Sequence, residues 1–356
     1  MPSEPRSDLG ALCETLCSIP SVTGDEAAIA GVIHGWLQDA GLDVERRSNS
    51  VLARGPRRQK PLVLLVGHSD TVPPSPQDRG VHREGGRLYA RGAADMKSGL
   101  AVMIGLARDL DLAALAYDVA FVVYEREEGP ILANGLGPLL AEVPWLHEAA
   151  LAFVLEPSDN TVQVGAMGTL HATLVFRGKA AHSARPWQGE NAIHKAAPVL
   201  RALAERSIDD VDVAGFRFRE VMSATIAKGG LARNVIPDRF ELNVNYRFSP
   251  ARSIDEARRA VEALAAGHAD VEITDLAPSG KVIGANPLYE RFLATTRVSV
   301  TGKQAWTDVA QLTRAGIDAV NFGPGNQAQA HQAGEYVDLA LLDQSYALFS
   351  SFLGAA

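Results

Sequence analysis

The chain has 356 residues, too many for one ordinary hydrophobic core, which predicts two domains. Its composition, 47% hydrophobic and 21% charged, is that of soluble globular protein and excludes a disordered or membrane-built chain. The net charge of −8 argues against a nucleic-acid surface. No apolar run approaches the roughly 20 residues of a membrane span, and the opening MPSEPRSDLG lacks the basic and apolar regions of an export signal. The sequence therefore predicts a cytoplasmic protein with no membrane partner.

In chain order, the first predicted element is an amphipathic helix carrying Cys13 and Cys17. Four residues apart on one helix, the two are badly placed for a disulfide and too few for a thiolate zinc site, so they read as free thiols. A second helix is predicted over residues 25–40, capped by Asp25 or Thr23. Unalternating apolar runs follow at 61–67 (PLVLLVG), 119–125 (VAFVVYE), 151–156 (LAFVLE) and 319–323 (AVNFG), with a helix at 99–110 between the first two. Such runs suit strands covered on both faces, which predicts an α/β layer with a mainly parallel sheet. Near residue 168 the pattern changes to alternation. Strands in TLHATLVFRG, REVMSATIAKGG, RFELNVNYRFS and ADVEITDL are interleaved with two helical stretches in the order β-α-β-β-α-β. That order fits a ferredoxin-like unit inserted at 168–282 into a domain made of 1–167 and 283–356.

Acids and histidines stand where the apolar runs end. The first run leads to His68 and Asp70, the second to Glu127 and Glu128, the third to Glu156, and the fourth toward His331, while Asp95 lies at a loop-to-helix entrance. Ligand sites of open α/β sheets lie beyond the carboxyl ends of the strands. Asp70, two residues after His68 on an extended segment, shares its side and can hold its second ring nitrogen. Taken singly, the Glu127–Glu128 pair reads as a solvated face, Asp95 as a helix cap and His331 as a loop residue. His34, His82, His147, His171, His194 and His268 read as structural or surface residues.

Jointly, GHSDTVPP, RGAADMKSG, EEG, EP and the late His331 resemble the metallopeptidase family of acetylornithine deacetylase, glutamate carboxypeptidase, aminoacylase and succinyl-diaminopimelate desuccinylase. The resemblance covers nearly the whole chain. It implies a catalytic α/β domain with an inserted lid that dimerises, and two Zn²⁺ per chain. Asp95 would bridge the metals, His68 and Glu156 would complete one, and Glu128 and His331 the other. Asp70 would orient His68, and Glu127 would act as general base on a water that the metals activate. His182, in RGKAAHSARPWQ, would donate to the oxyanion of the partner subunit's site. Mixed nitrogen and oxygen ligands suit zinc and also admit Co²⁺ or Mn²⁺.

The segments AHSARPWQGENAIH, GGLARNVIPDRFELNVNYRFSP and WTDVAQLTRAGIDAVNFGPGNQ look most like the desuccinylase branch. The substrate this implies, N-succinyl-LL-2,6-diaminopimelate, carries three carboxylates, which suit guanidinium partners. Arg247 and Asn234 match positions the family uses on substrate. Arg185, where many relatives have an aromatic residue, is a further candidate. Another N-acyl amino-acid amidohydrolase, such as an acetylornithine deacetylase or a carboxypeptidase, is the alternative reading, and a non-catalytic metal-binding member of the family is the third.

Overall fold

The computed structural model describes residues 7–354. Residues 1–6, part of the opening read above as free of an export signal, lie outside the described residues. The chain divides into two compact units, one of residues 1–164, 283–301 and 311–356, the other of 165–282 and 302–310.

In the first unit, α1 (Leu9–Ser18) is capped by Asp8, whose carboxylate accepts the Ala11 N–H. It buries Leu9, Leu12 and Leu16 together with both cysteines, which are free thiols. Helix α2 (Ala27–Asp39) begins later than the sequence suggests, and neither Thr23 nor Asp25 caps it. The Thr23 hydroxyl is drawn away to a buried acceptor, donating to Asp70 Oδ2 at 2.8 Å. Next come the hairpin β1 (Asp43–Arg47) and β2 (Ser50–Arg54), then β3 (Leu62–His68), β4 (His82–Glu84), β5 (Arg87–Tyr89), α3 (Ser98–Asp109), β6 (Asp118–Tyr124), α4 (Leu136–Glu142), β7 (Ala149–Val154) and β8 (Val162–Val164). Every residue of β3 and β6 is buried, as is every residue of α3 from Ser98 to Ala107. The continuous apolar runs are thus explained by layers on both faces.

The second unit opens with β9 (Gly168–Arg177) and the two-residue strand β10 (Ala181–His182). The helix expected next is two, α5 (Ala192–Lys195) and α6 (Ala197–Ala204), because Pro198 has no N–H to continue a single helix through this point. Then follow β11 (Asp209–Val213), β12 (Phe216–Gly229), β13 (Val235–Ile236), β14 (Arg239–Phe248), α7 (Ile254–Ala265) and β15 (Asp270–Ala277). The sheet order is β11-β12-β14-β9-β15. Its last four strands with α5, α6 and α7 make the expected β-α-β-β-α-β arrangement. Alternate residues Leu170, Ala172, Leu174, Leu242, Val244 and Tyr246 pack with Val199 and Val261 of the helices, which leaves the other set on the opposite face. Among the described residues β11 pairs only with Phe216–Glu220 of β12. From Val221 to Gly229, β12 has β14 as its sole strand partner among the described residues, so its other edge is open there.

The rest of the chain, which belongs to the first unit except for residues 302–310, forms α8 (Pro287–Thr296), β16 (Val300–Gly302), α9 (Val309–Arg314), β17 (Ala319–Asn321), β18 (Tyr336–Asp338) and α10 (Leu339–Gly354). The main sheet runs β1-β2-β6-β3-β7-β17-β8-β16. Its centre, β6-β3-β7-β17, is parallel, and β2 and β8 join it antiparallel. The mainly parallel α/β architecture expected from the sequence is therefore present. Among the described residues no helix is long and apolar enough to cross a membrane.

Candidate metal centre

The parallel strands β3, β6 and β7 end side by side, and the chain leaving each one supplies an acid or an imidazole. Asp70, fully buried just past β3, organises the group. Its Oδ1 accepts the Glu127 N–H at 2.9 Å, and its Oδ2 accepts the Glu128 N–H at 3.1 Å. Two successive N–H groups reach one carboxylate because Arg126, between β6 and the acidic pair, takes the left-handed conformation at φ 62°. Burial alone would raise the Asp70 pKa. Its hydrogen bonds, first to His68 and then to Thr23 and the Glu127 backbone, outweigh that and hold it below the usual carboxylate value.

His68 Nδ1 lies 3.1 Å from the Asp70 carbonyl oxygen and 3.4 Å from Asp70 Oδ1. Both are acceptors, so Nδ1 carries the proton, and neutral His68 turns an Nε2 lone pair to the other side. There Nε2 is 3.3 Å from Asp95 Oδ1, 3.7 Å from Glu156 Oε1 and 4.0 Å from Glu127 Oε2. His331 Nε2 lies 2.9 Å from Glu128 Oε2 and 3.7 Å from Asp95 Oδ2. The two oxygens of Asp95 thus face two different histidines. His68, Asp95 and Glu156 form one group with metal-ligand spacing, Asp95, Glu128 and His331 a second, and His68, Glu127 and Glu128 a third.

These residues fit a divalent metal. Among the described residues His68 Nε2 is buried with no hydrogen-bond partner, and anionic oxygens surround it. A neutral imidazole there points a lone pair at carboxylates, an arrangement a cation relieves. Without a metal the imidazole resolves the conflict by holding a proton. Burial opposes this, but the Asp70 and Asp95 carboxylates beside the ring and the charges of Glu127 and Glu156 prevail, raising the His68 pKa well above its ordinary value. The His331 pKa is raised as well, chiefly by its hydrogen bond to Glu128.

Sequence reasoning missed Glu335. It sits four residues after His331 in a polar loop, and nothing in QAGEYVD marks it as buried, yet it is 2% exposed. Its Oε1 accepts the N–H groups of Ala94 (2.9 Å) and Asp95 (3.0 Å), and its Oε2 accepts those of Gly92 (3.0 Å) and Arg91 (Nη1, 2.9 Å). Arg91 reaches on to Asp78 at 3.1 Å. Glu335 therefore fixes the backbone of Asp95 from the same loop that carries His331. Burial, with the charge of Asp95, lifts its pKa to about 7 against the pull of these N–H groups. The Asp95 loop turns at Gly92 (φ 80°), where a Cβ would stand 2.6 Å from Thr71 Cγ2, so only glycine fits. Asp95 itself has extended φ and ψ, and α3 begins at Ser98, so Asp95 is not the helix cap. Lys97, also buried, donates to the carbonyls of Leu16 and Ile19 at the end of α1.

The remaining candidates lie in the second unit. β10 pairs with β13, His182 opposite Val235, and the Ser183 N–H donates to the Asn234 carbonyl at 2.9 Å. This pairing of distant segments brings the exposed residues His182, Arg185 and Asn234 together. Arg247 stands apart from them on β14 and donates through Nε to Asn245 Oδ1 at 3.2 Å.

Residues 64–355 match the model of peptidase family M20/M25/M40. DapE of Mycobacterium tuberculosis, named provisionally as a succinyl-diaminopimelate desuccinylase, is 39% identical over 352 residues, covering 98% of this chain and 99% of its own. The succinyl-diaminopimelate desuccinylase of Corynebacterium glutamicum is 34% identical, covering 96% and 95%. Among solved structures, the M20 family metallo-carboxypeptidase Sso-CP2 of Sulfolobus solfataricus superposes with a TM-score of 0.79 at 17% identity, covering 98% of this chain and 99% of that one. The fold is shared with it.

Metals take neutral imidazole, and both site histidines have raised pKa values in the metal-free protein. Loading Zn²⁺ near neutral pH is therefore expected to release on the order of one to two protons per chain. Affinity should tighten as pH rises toward the raised values. By the same sign, these histidines stabilise the metal-free fold fully below their unfolded pKa and progressively lose that contribution as pH rises through the folded values. Calorimetry in buffers of different ionisation enthalpy measures the release. Proton-neutral, pH-independent binding would contradict the assignment.

Proposed function

The chain belongs to peptidase family M20/M25/M40, and from that premise we propose that it hydrolyses the amide of N-succinyl-LL-2,6-diaminopimelate to succinate and LL-2,6-diaminopimelate. The observation that carries amide hydrolysis is Asp95, which offers one oxygen to each of two histidines while a further glutamate, Glu127, stands beside them. The choice of acyl group draws support from the full-length likeness to proteins named as desuccinylases.

On this reading the site holds two Zn²⁺, with Co²⁺ as a possible substitute. His68, Asp95 and Glu156 hold one, and Asp95, Glu128 and His331 the other. Bound there, the metals would supply Lewis acidity for the water and for the scissile carbonyl. The pairing of His331 with Glu128 favours Glu128 as the ligand of the adjacent acids and leaves Glu127 for proton transfer. Glu127, its backbone pinned by Asp70, takes the proton of the attacking water and returns it to the leaving amine. Asp70 keeps His68 in the tautomer that presents Nε2.

His182 suits the role of oxyanion donor. Its Nδ1 accepts the Ala184 N–H at 3.1 Å, so the neutral ring carries its proton on Nε2 and has that N–H to donate. Asn234, Arg185 and Arg247 would take the substrate carboxylates. The open edge of β12, with Ile226 and Leu231 exposed nearby, suits two-fold pairing with a second copy, through which His182 would serve the partner's site.

Two measurements test this reading. Succinate release from N-succinyl-LL-2,6-diaminopimelate should exceed acetate release from N-acetylornithine by ~100-fold or more in kcat/KM, the discrimination expected of a site built for the longer acid. A preference for the acetyl substrate would overturn the acyl assignment. Separately, His182→Ala and Glu127→Ala should each be inactive as homodimers yet recover activity when mixed and allowed to exchange subunits. A mixed dimer then has one intact site. No recovery despite demonstrated exchange would refute the shared site.

A further inference from the structure

The polar face of the second unit's sheet carries a connected row of side chains. His171 on β9, Asn245 on β14 and Asp275 on β15 are direct cross-strand neighbours, and Arg247 lies two residues beyond Asn245 on the same face. Asn245 Nδ2 is 2.8 Å from His171 Nε2, and Arg247 Nε is 3.2 Å from Asn245 Oδ1.

The donors and acceptors fix the chemistry of this row. A guanidinium has donors only, so Asn245 must turn its oxygen toward Arg247. Its amide nitrogen then faces His171, and an NH₂ group can only donate. His171 Nε2 must therefore accept, which makes the ring neutral with its proton on Nδ1. The surroundings agree. Burial, then the positive charge of Arg247, lower the His171 pKa, and Asp275 opposes them without prevailing. Opposite Arg247 across the strand pair, Thr169 is 7% exposed, and its hydroxyl has no hydrogen-bond partner among the described residues. A buried hydroxyl on the residue paired with Arg247 lacks an acceptor, and a ligand carboxylate supplies one.

We infer that His171, Asn245 and Arg247 form a relay that presents Arg247, with Thr169, as the subsite for one carboxylate of the N-acyl amino-acid substrate. The inference rests on the reading of Arg247 as a substrate contact. His171 and Asn245 are positioning residues and touch no substrate. Protonation of His171 removes the acceptor, frees the Asn245 amide to rotate, and weakens the hold on Arg247. Substrate affinity therefore falls with pH through the His171 titration.

The test compares Arg247→Ala, Asn245→Ala, His171→Phe and His171→Gln in the zinc-loaded enzyme, with metal content measured for each. Gln keeps an acceptor oxygen and Phe does not. Arg247→Ala should raise KM by at least tenfold. Asn245→Ala and His171→Phe should raise it about three- to tenfold, the scale of one ordinary net hydrogen bond. Asn245→Ala and His171→Phe should leave kcat within about twofold, and His171→Gln should restore the KM. Wild-type KM should climb as pH falls, and the His171→Gln KM should not follow it. An unchanged KM in His171→Phe and Asn245→Ala beside a raised KM in Arg247→Ala refutes the relay alone. An unchanged KM in Arg247→Ala refutes the substrate contact and the relay's purpose together. If the protein turns over no N-acyl substrate, ¹⁵N NMR of the His171 ring still decides the relay. The Nδ1–H tautomer is expected, assigned by the signal lost in His171→Gln, and an Nε2–H tautomer would overturn it.

Discussion

Asp70 ties the ends of two parallel strands into one acceptor. Its carboxylate takes the N–H groups of Glu127 and Glu128 and the hydroxyl of Thr23, and it faces the protonated ring nitrogen of His68. A buried carboxylate bonded in this way is strongly held, because each hydrogen bond to a charged group is typically worth about 1.5–3 kcal/mol. The direction of His68 and the orientation of the two acids follow from it. Glu335 makes a matching bracket on the other side of the site. It gathers four donors around Asp95 and links that loop to the one bearing His331. Between the two carboxylates, every side chain assigned to metal or proton transfer except Glu156 and His182 is either held directly or belongs to a segment that is.

The same brackets concentrate negative charge. Asp95, Glu127, Glu128 and Glu156 converge on His68 and His331, and the raised pKa of both imidazoles records how strongly the site attracts positive charge. A divalent cation meets that demand without a proton, which is why the geometry suits a hydrolase of this family. The parallel sheet is what makes the convergence possible. Strands running the same way end at one edge, and three of them deliver His68, the Glu127–Glu128 pair and Glu156 within a few residues of their last buried position.

Much of this was legible in the sequence because burial and function leave different marks. β3 and β6 read as strands from their unbroken apolar runs, and acids placed directly after them had no structural explanation. The second unit's strands were readable from alternation. What escaped depended on contacts distant in sequence. Glu335 looks like any loop acid until the backbone of residues 91–95 folds onto it. Thr23 reads as a cap, and only the position of Asp70 shows where its hydroxyl goes. β11, with the sequence DDVDV, has poor strand character and is paired through a hairpin turn at Ala214–Gly215, both at positive φ.

The central claim is that Asp95 bridges two metals, each completed by one histidine and one glutamate. Anomalous diffraction from crystals of the zinc-loaded protein, collected on both sides of the zinc edge, tests it directly. The account predicts two zinc peaks per chain roughly 3.5–4 Å apart, one against His68 and Glu156, the other against Glu128 and His331, with Asp95 between them. A single peak, or a second zinc held by other residues, would contradict it.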